Sequence, residues 1–266
     1  MMIGAIVGDY AGSAYEFHST HDYCFPIITP DSGITDDSIM TVAIMDAILQ
    51  GKPYGERLRY WGNKYPTPKG GYGGSFAAWL RSEKPQPYNS FGNGSAMRVS
   101  PIGWVFEMLK ETLREAQKSA QCTHNHSDGI KGAMATAAAI YYVRNGKSKE
   151  FLRQYVEKEF GYNLSRTLSD IRPSYGFNES CQGTVPEAII CYLESSGFED
   201  AIRLAVSLGG DSDTLACITG AIAEAGYADG ISAQLVEAAF STMPEELKNI
   251  VEQFYSKFNL YSYGKA

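Results

Sequence analysis

Two short stretches place carboxylates and hydroxyls at the mouths of helices. One is Thr35-Asp36-Asp37-Ser38, and the other is Gly209-Gly210-Asp211-Ser212-Asp213-Thr214. Each runs directly into an apolar helical pattern, Ile39, Val42, Ala43 and Ala47 after the first, and Leu215, Ala216, Ile218 and Ile222 after the second. A helix N-terminus has free backbone N–H groups and the positive end of the helix dipole, so negative charge is favoured there. A single Asp in such a place is accounted for as an N-cap. Capping needs one side chain, not paired carboxylates with a hydroxyl beside them, and this chain builds the arrangement twice. Brought together by the fold, the two stretches would converge four carboxylates and two Thr hydroxyls, a density of like charge that repels strongly away from water. Divalent cations would resolve that conflict. An all-oxygen donor set suits Mg²⁺, Mn²⁺ or Ca²⁺ rather than zinc or copper. The second stretch is not an EF-hand loop, because Ile222 stands where the bidentate Glu would be.

The elements that must position these residues read as helices. Apolar spacing predicts them over 36–50, closed by Gly51 and Pro53, and over 54–64, 75–82, 101–120, 148–160 and 198–208. An Ala-rich run at 130–143, ended by Gly146, predicts a central helix, since Ala is the strongest helix former and permits close packing. Pro186 suits the first turn of another helix, and Pro244 opens one carrying Leu247, Ile250, Val251, Phe254 and Phe258. Residues 2–17 have small side chains at 4, 5, 8, 11, 12 and 14, which allow very close helix packing. Asp9 and Glu16 lie within that stretch, and each reads equally well as a solvated acid. Residues 18–34, with Pro26, Pro30 and Gly33, predict an irregular loop. Runs alternating at period two are absent. The expectation is an all-α protein, one compact domain over 1–266 built as an orthogonal helical bundle.

Three loops could touch a ligand. Gly70-Gly71-Tyr72-Gly73-Gly74 can wrap phosphates with backbone N–H groups or serve as a flexible connector. Gly92-Asn93-Gly94-Ser95-Ala96-Met97-Arg98 begins like a dinucleotide fingerprint but has Met97 where Gly is required, so a Rossmann reading fails. A Gly-Asn-Gly-Ser turn opening a helix can still hold an anionic group. In Cys122-Thr123-His124-Asn125-His126 no second Cys/His pair completes a zinc site, and a His here suits sugar hydroxyls or phosphates better.

Composition narrows the class. The 266 residues suffice for a sizeable core, with 44% apolar and 20% charged side chains as in soluble globular proteins. A net charge of −7 disfavours a nucleic-acid backbone as partner. Five scattered Cys fit reduced thiols in a cytoplasmic protein. No 18-residue uncharged apolar run predicts a membrane span, and no basic region predicts a signal peptide. A monomer is the default expectation.

Thr35-Asp36-Asp37-Ser38, Gly92-Asn93-Gly94-Ser95-Ala96-Met97-Arg98, Thr123-His124 and Gly210-Asp211-Ser212-Asp213-Thr214, with the opening Gly8-Asp9 through Glu16, resemble the ADP-ribosylglycohydrolase family over residues 3–226. The resemblance implies an all-α fold with two Mg²⁺ or Mn²⁺ ions at helix N-termini, held by Thr35, Asp36, Asp37, Asp211, Asp213 and Thr214. Ser38 replaces a Thr often found there, keeping the hydroxyl. Glu16 would lie on a segment over the site, and Gly94, Ser95 and His124 would line the ADP-ribose pocket. The implied activity is hydrolysis of the glycosidic bond between ADP-ribose and an acceptor, an ADP-ribosylated protein side chain (Arg or Ser) or a small molecule. Asp37, Asp213 or Glu16 would take the proton of the attacking water. The alternatives are a catalytically silent binder of ADP-ribose or a nucleotide, and a metal hydrolase of another nucleotide-sugar.

Overall fold

Glycine spacing decides how the centre of this molecule is put together. The computed structural model describes residues 3–227 and 230–260, and among these it contains helices and no sheet. Helix α1 (Gly4–Gly12) repeats Gly at 4, 8 and 12, every fourth residue and so on one face. That face lies on α13 (Ser212–Gly226) backbone to backbone. A methyl group on Gly4 would meet the carbonyl oxygen of Gly220 at 2.2 Å, one on Gly8 that of Ala216 at 2.0 Å, and one on Gly12 that of Ser212 at 2.3 Å. The Glu224 carboxylate then caps α1, accepting from the backbone N–H of Ile3 at 3.1 Å and of Gly4 at 2.7 Å. At the other end the Ser212 hydroxyl donates to the carbonyl of Gly12 at 3.0 Å. Helix α13 is buried from Ser212 to Glu224, as a central helix must be.

The remaining helices wrap this pair. In chain order they are α2 (Asp36–Gln50), α3 (Tyr54–Lys64), α4 (Gly74–Arg81), α5 (Gly94–Met97), α6 (Ser100–Val105), α7 (Leu109–Gln121), α8 (Ser127–Arg144), α9 (Lys149–Phe160), α10 (Leu168–Ile171), α11 (Cys181–Glu194), α12 (Phe198–Leu208), α14 (Ala233–Ser241) and α15 (Glu245–Phe258). Helices α8, α11 and α12 pack on α13, while α2 packs on α1, α3 and α15. The Ala-rich stretch of α8 has Ala133, Ala135 and Ala137 to Ala139 fully buried. Asp46 of α2, also fully buried, binds α3 by accepting from Arg57 Nε and Trp61 Nε1, each at 2.7 Å.

Three expectations change. The single pattern at 101–120 is two helices, α6 and α7, broken at Phe106, whose backbone is extended. Arg144 of α8 supports the break by donating to the carbonyls of Gly103 and Phe106 at the end of α6. Pro186 lies inside α11 rather than in its first turn, because Ser180 already caps the helix, accepting from the Gly183 N–H at 3.2 Å. Of the small-residue stretch 2–17, the described residues are helical only from Gly4 to Gly12, and Glu16 lies in the segment that follows. Among the described residues, no helix is long and apolar enough to cross a membrane.

The backbone contact between α1 and α13 yields a prediction. Gly8→Val places a branched side chain where even a methyl meets a carbonyl oxygen at 2.0 Å. Forced apart, the pair should lose roughly 3 kcal/mol or more, at the upper end of overpacking penalties. Urea unfolding measures it, and a variant with an unchanged midpoint would refute the packing argument.

Candidate metal centre

The two acidic helix mouths meet. Thr35 caps α2, its hydroxyl accepting from the Asp37 N–H at 3.2 Å, and Asp211 stands at the mouth of α13 without making a cap bond. The carboxylates of Asp36, Asp37 and Asp211 are therefore not occupied in capping their helices, while Asp213 gives one oxygen to the Thr214 N–H at 2.9 Å and keeps the other free of its helix. Gly209 (φ 88°) and Gly210 (φ 81°) make the left-handed turn that swings Asp211 into place, conformations that a side chain would strain. Asp9, Asp37 and Asp213 each offer an oxygen within 4.8 Å of the others, and so do Glu16, Asp211 and Asp213. Asp213 belongs to both trios. Two neighbouring cation positions sharing one carboxylate would need this arrangement.

Asp9 is the ligand candidate that sequence reasoning weighs too lightly. It is fully buried and accepts from the Thr35 N–H at 3.0 Å, the Thr35 hydroxyl at 2.8 Å, the Ser38 N–H at 3.1 Å and the Ser38 hydroxyl. A signal exists in the chain: a helix whose faces are Gly, Ala and aliphatic side chains leaves an acid no solvated face. Ser38, which reads in sequence only as a kept hydroxyl, fixes Asp9. Thr214 donates to Asp37 Oδ2 at 3.0 Å, and Asn93 Nδ2 donates to Asp211 Oδ2 at 2.7 Å.

The hydroxyls retain donor capacity toward a cation. Thr35 Oγ1 gives its proton to Asp9 and one lone pair to the Asp37 N–H, leaving one lone pair free. Thr214 Oγ1 gives its proton to Asp37 and keeps both lone pairs. Glu16 Oε2 is buried without a hydrogen-bond partner. This donor set fits an oxygen-loving divalent ion.

Electrostatics leads to the same conclusion. Burial pushes Asp9 up to about 6, against the hydrogen bonds from Ser38 and Thr35 that lower it. Burial likewise takes Asp211 to about 6, with the Asn93 hydrogen bond pulling down and Glu16 pushing up. Glu16 is raised to about 8 by burial and then by the charge of Asp213, with Lys69 opposing. Asp36 and Asp37 are raised well above the carboxylate range by burial and then by Asp213, and Asp213 by burial and then by Asp211. Six acids resist ionising together, and a bound cation removes the resistance.

A cavity of about 410 Å³ opens over this cluster. Asp36, Asp37, Asp211, Asp213, Thr214 and Glu16 line it, as do Gly94, His124 and the run Gly70 to Gly74. Thr35 and Asp9 lie behind it. Ser95 does not reach it: the side chain is fully buried and donates to the Gly129 carbonyl at 2.7 Å, joining α5 to α8. His124 Nδ1 is 2.7 Å from the Thr123 hydroxyl, and Nε2 faces Gly92 and Gly94, where added methyl groups would stand 3.5 and 3.3 Å away. Burial and then Arg98 hold His124 well below the usual imidazole value, so the ring is neutral. Arg98 is buried under this end of the cavity and donates to the Thr123 hydroxyl at 2.7 Å and the Ser119 carbonyl at 3.2 Å.

An all-helical fold with a carboxylate-lined cavity of this kind defines a class. Residues 1–262 match the ADP-ribosylglycohydrolase family, and the chain belongs to it. It is a glycohydrolase. It is 27% identical to the human ADP-ribosylhydrolase ARH3, over 85% of this chain and 84% of that protein. It is 24% identical to the ADP-ribosylarginine hydrolase Tri1 of Pseudomonas putida, over 85% of this chain and 69% of that protein. A solved structure, an ADP-ribosylglycohydrolase-related protein complex, superposes with a TM-score of 0.77 at 21% identity, covering 96% of this chain and 95% of that one. That likeness concerns the fold.

Proposed function

We propose that this enzyme hydrolyses the bond between the anomeric carbon of an ADP-ribosyl group and its acceptor, with two divalent cations, Mg²⁺ or Mn²⁺, in the acidic cluster. The observation that carries the reading is the sharing of Asp213 between two trios of carboxylates. Asp9, Thr35, Asp36, Asp37, Asp211, Asp213, Thr214 and Glu16 are the residues that would hold the ions. Such ions, when bound, make water acidic enough to attack near neutral pH and fix neighbouring hydroxyls.

The chain's own groups do the rest. The bond from the anomeric carbon to the acceptor breaks through an oxocarbenium-like state, and water oxygen takes its place. One water proton stays on the new anomeric hydroxyl, and the other passes through a carboxylate, Glu16, Asp37 or Asp213, to the departing acceptor. Glu16 is well placed, because it lines the cavity beside Asp211 and Asp213 and its Oε2 has no hydrogen-bond partner. Gly92 and Gly94 let the diphosphate approach backbone N–H groups, and the loop Gly70 to Gly74 closes over it. Neutral His124 offers Nε2 to a sugar hydroxyl or phosphate oxygen. If the Thr123 hydroxyl donates to Nδ1, then Nε2 carries the proton. Ser95 shapes this end from behind. The enzyme works as a cytoplasmic monomer in this reading, with its five cysteines unpaired.

The test is release of free ADP-ribose from ADP-ribosylated proteins with Mg²⁺, with Mn²⁺ and with chelator. Release that chelator abolishes is the expected result. Tight ADP-ribose binding with no release from any linkage would overturn the reading.

A further inference from the structure

Two phenylalanines stand in water at the mouth of the cavity. Phe17 is 65% exposed and Phe177 is 52% exposed, and both line the cavity wall. Their ring centroids are 6.2 Å apart and their planes 27° from parallel. A planar group inserted between two rings needs roughly 7 Å, twice a carbon–carbon contact of about 3.5 Å. At 6.2 Å between centroids the rings stack on each other, so a planar group stacks on an outer face or enters between them only as their loops move apart. Exposed aromatic faces next to a reaction centre are costly to leave in water unless something covers them.

Their position says which part of a substrate would do so. Phe17 directly follows Glu16, and the Gly176 carbonyl beside Phe177 lies against Gly210, next to Asp211. Both rings thus flank the acidic cluster, where the scissile bond must lie in the proposed reaction. The adenine, a ribose and two phosphates away, belongs at the other end. Charge then restricts the acceptor's chemistry. Glu179, on the same wall, is exposed, and its carboxylate has no hydrogen bond or ion pair among the described residues. Lys69 is turned to the Ser13 carbonyl at 2.7 Å, and Arg98, the cation that lines the cavity, is turned to Thr123 and Ser119.

We propose that Phe17, Phe177 and Glu179 form an acceptor slot for a planar cation, which makes the acceptor the guanidinium of an arginine side chain. This rests on the ADP-ribosyl hydrolase reading above. Guanidinium stacks on aromatic faces and pairs with carboxylates, whereas a serine-linked acceptor presents neither a plane nor a charge.

Initial rates on one peptide ADP-ribosylated at arginine and one at serine, with agmatine as competitor, test it. The wild type should favour the arginine linkage and be inhibited competitively by agmatine. Phe177→Ala and Glu179→Gln should each lower kcat/KM for the arginine linkage about tenfold and weaken agmatine inhibition as much. Phe177→Tyr should keep both, and Phe177→Leu should lose them, since Leu fills space without a π face. Equal or faster cleavage of the serine linkage overturns the slot, and so does a Leu variant that behaves as wild type. Cleavage of neither linkage by the wild type rejects the hydrolase reading itself, and the slot with it.

Discussion

Asp213→Asn should lower kcat/KM for release of ADP-ribose by about a thousandfold or more while the fold survives. The magnitude follows from what ions at this cluster would contribute, several kcal/mol of charge stabilisation at about 1.4 kcal/mol per tenfold in rate. Asp213 is singled out because it is the one carboxylate in both trios, so its loss would affect both of the proposed cation positions. Asn has the same shape, and the backbone turn at Gly209 and Gly210 does not depend on it. Without metal the variant should melt no lower than wild type, because burial and Asp211 both work against the ionised Asp213 carboxylate. With Mg²⁺ or Mn²⁺ the wild type should gain thermal stability and the variant much less, since only binding to the native state stabilises it. Turnover assays and melting curves with and without chelator measure both effects. A variant with wild-type turnover would remove Asp213 from the centre.

The residues of this centre are legible in the sequence to differing degrees, and for physical reasons. The mouths of α2 and α13 are legible because paired acids beside hydroxyls exceed what a cap requires, and because apolar spacing marks where each helix starts. Asp9 is less so. Its stretch shows small residues at every fourth position, but that an acid there is buried depends on the approach of α13, more than two hundred residues away. Ser95 reads as a pocket residue from its motif, yet it sits in the four-residue helix α5, whose turn points it at Gly129 of α8. No local pattern fixes that rotation. The break between α6 and α7 depends on Arg144, about forty residues further on, and amphipathic spacing carries across it unchanged. Gly4, Gly8 and Gly12 announce close packing, but only their partners' carbonyls show how close. The Phe17–Phe177 pair joins two loops, where no periodicity exists to be read.

Removing divalent ions should reverse the pH dependence of stability. Asp9 and Asp211 at about 6 and Glu16 at about 8 all titrate above the unfolded values near 4. Asp36, Asp37 and Asp213 are displaced in the same direction. An acid whose folded pKa is raised binds more protons in the folded state than in the unfolded one, so stability falls as pH rises between the two values. For Asp9 and Asp211 that decline runs from pH 4 to about 6, and for Glu16 on to about 8. Each tenfold gain in proton affinity on folding is worth about 1.4 kcal/mol at a buried group, and half-buried Glu16 contributes less through solvent screening. His124 opposes the trend, because a buried imidazole held neutral favours folding as pH rises, but only up to its unfolded value near 6.5. Between pH 6.5 and 8 the acids act alone, and the metal-free melting temperature should drop steadily. Saturating Mg²⁺ or Mn²⁺ should abolish the drop or invert it, since ions bind the ionised carboxylates and compete with protons. Calorimetry at pH 5, 6.5 and 8, with chelator and with each ion, separates the two regimes. Parallel curves with and without metal would mean that the six acids do not share a cation site.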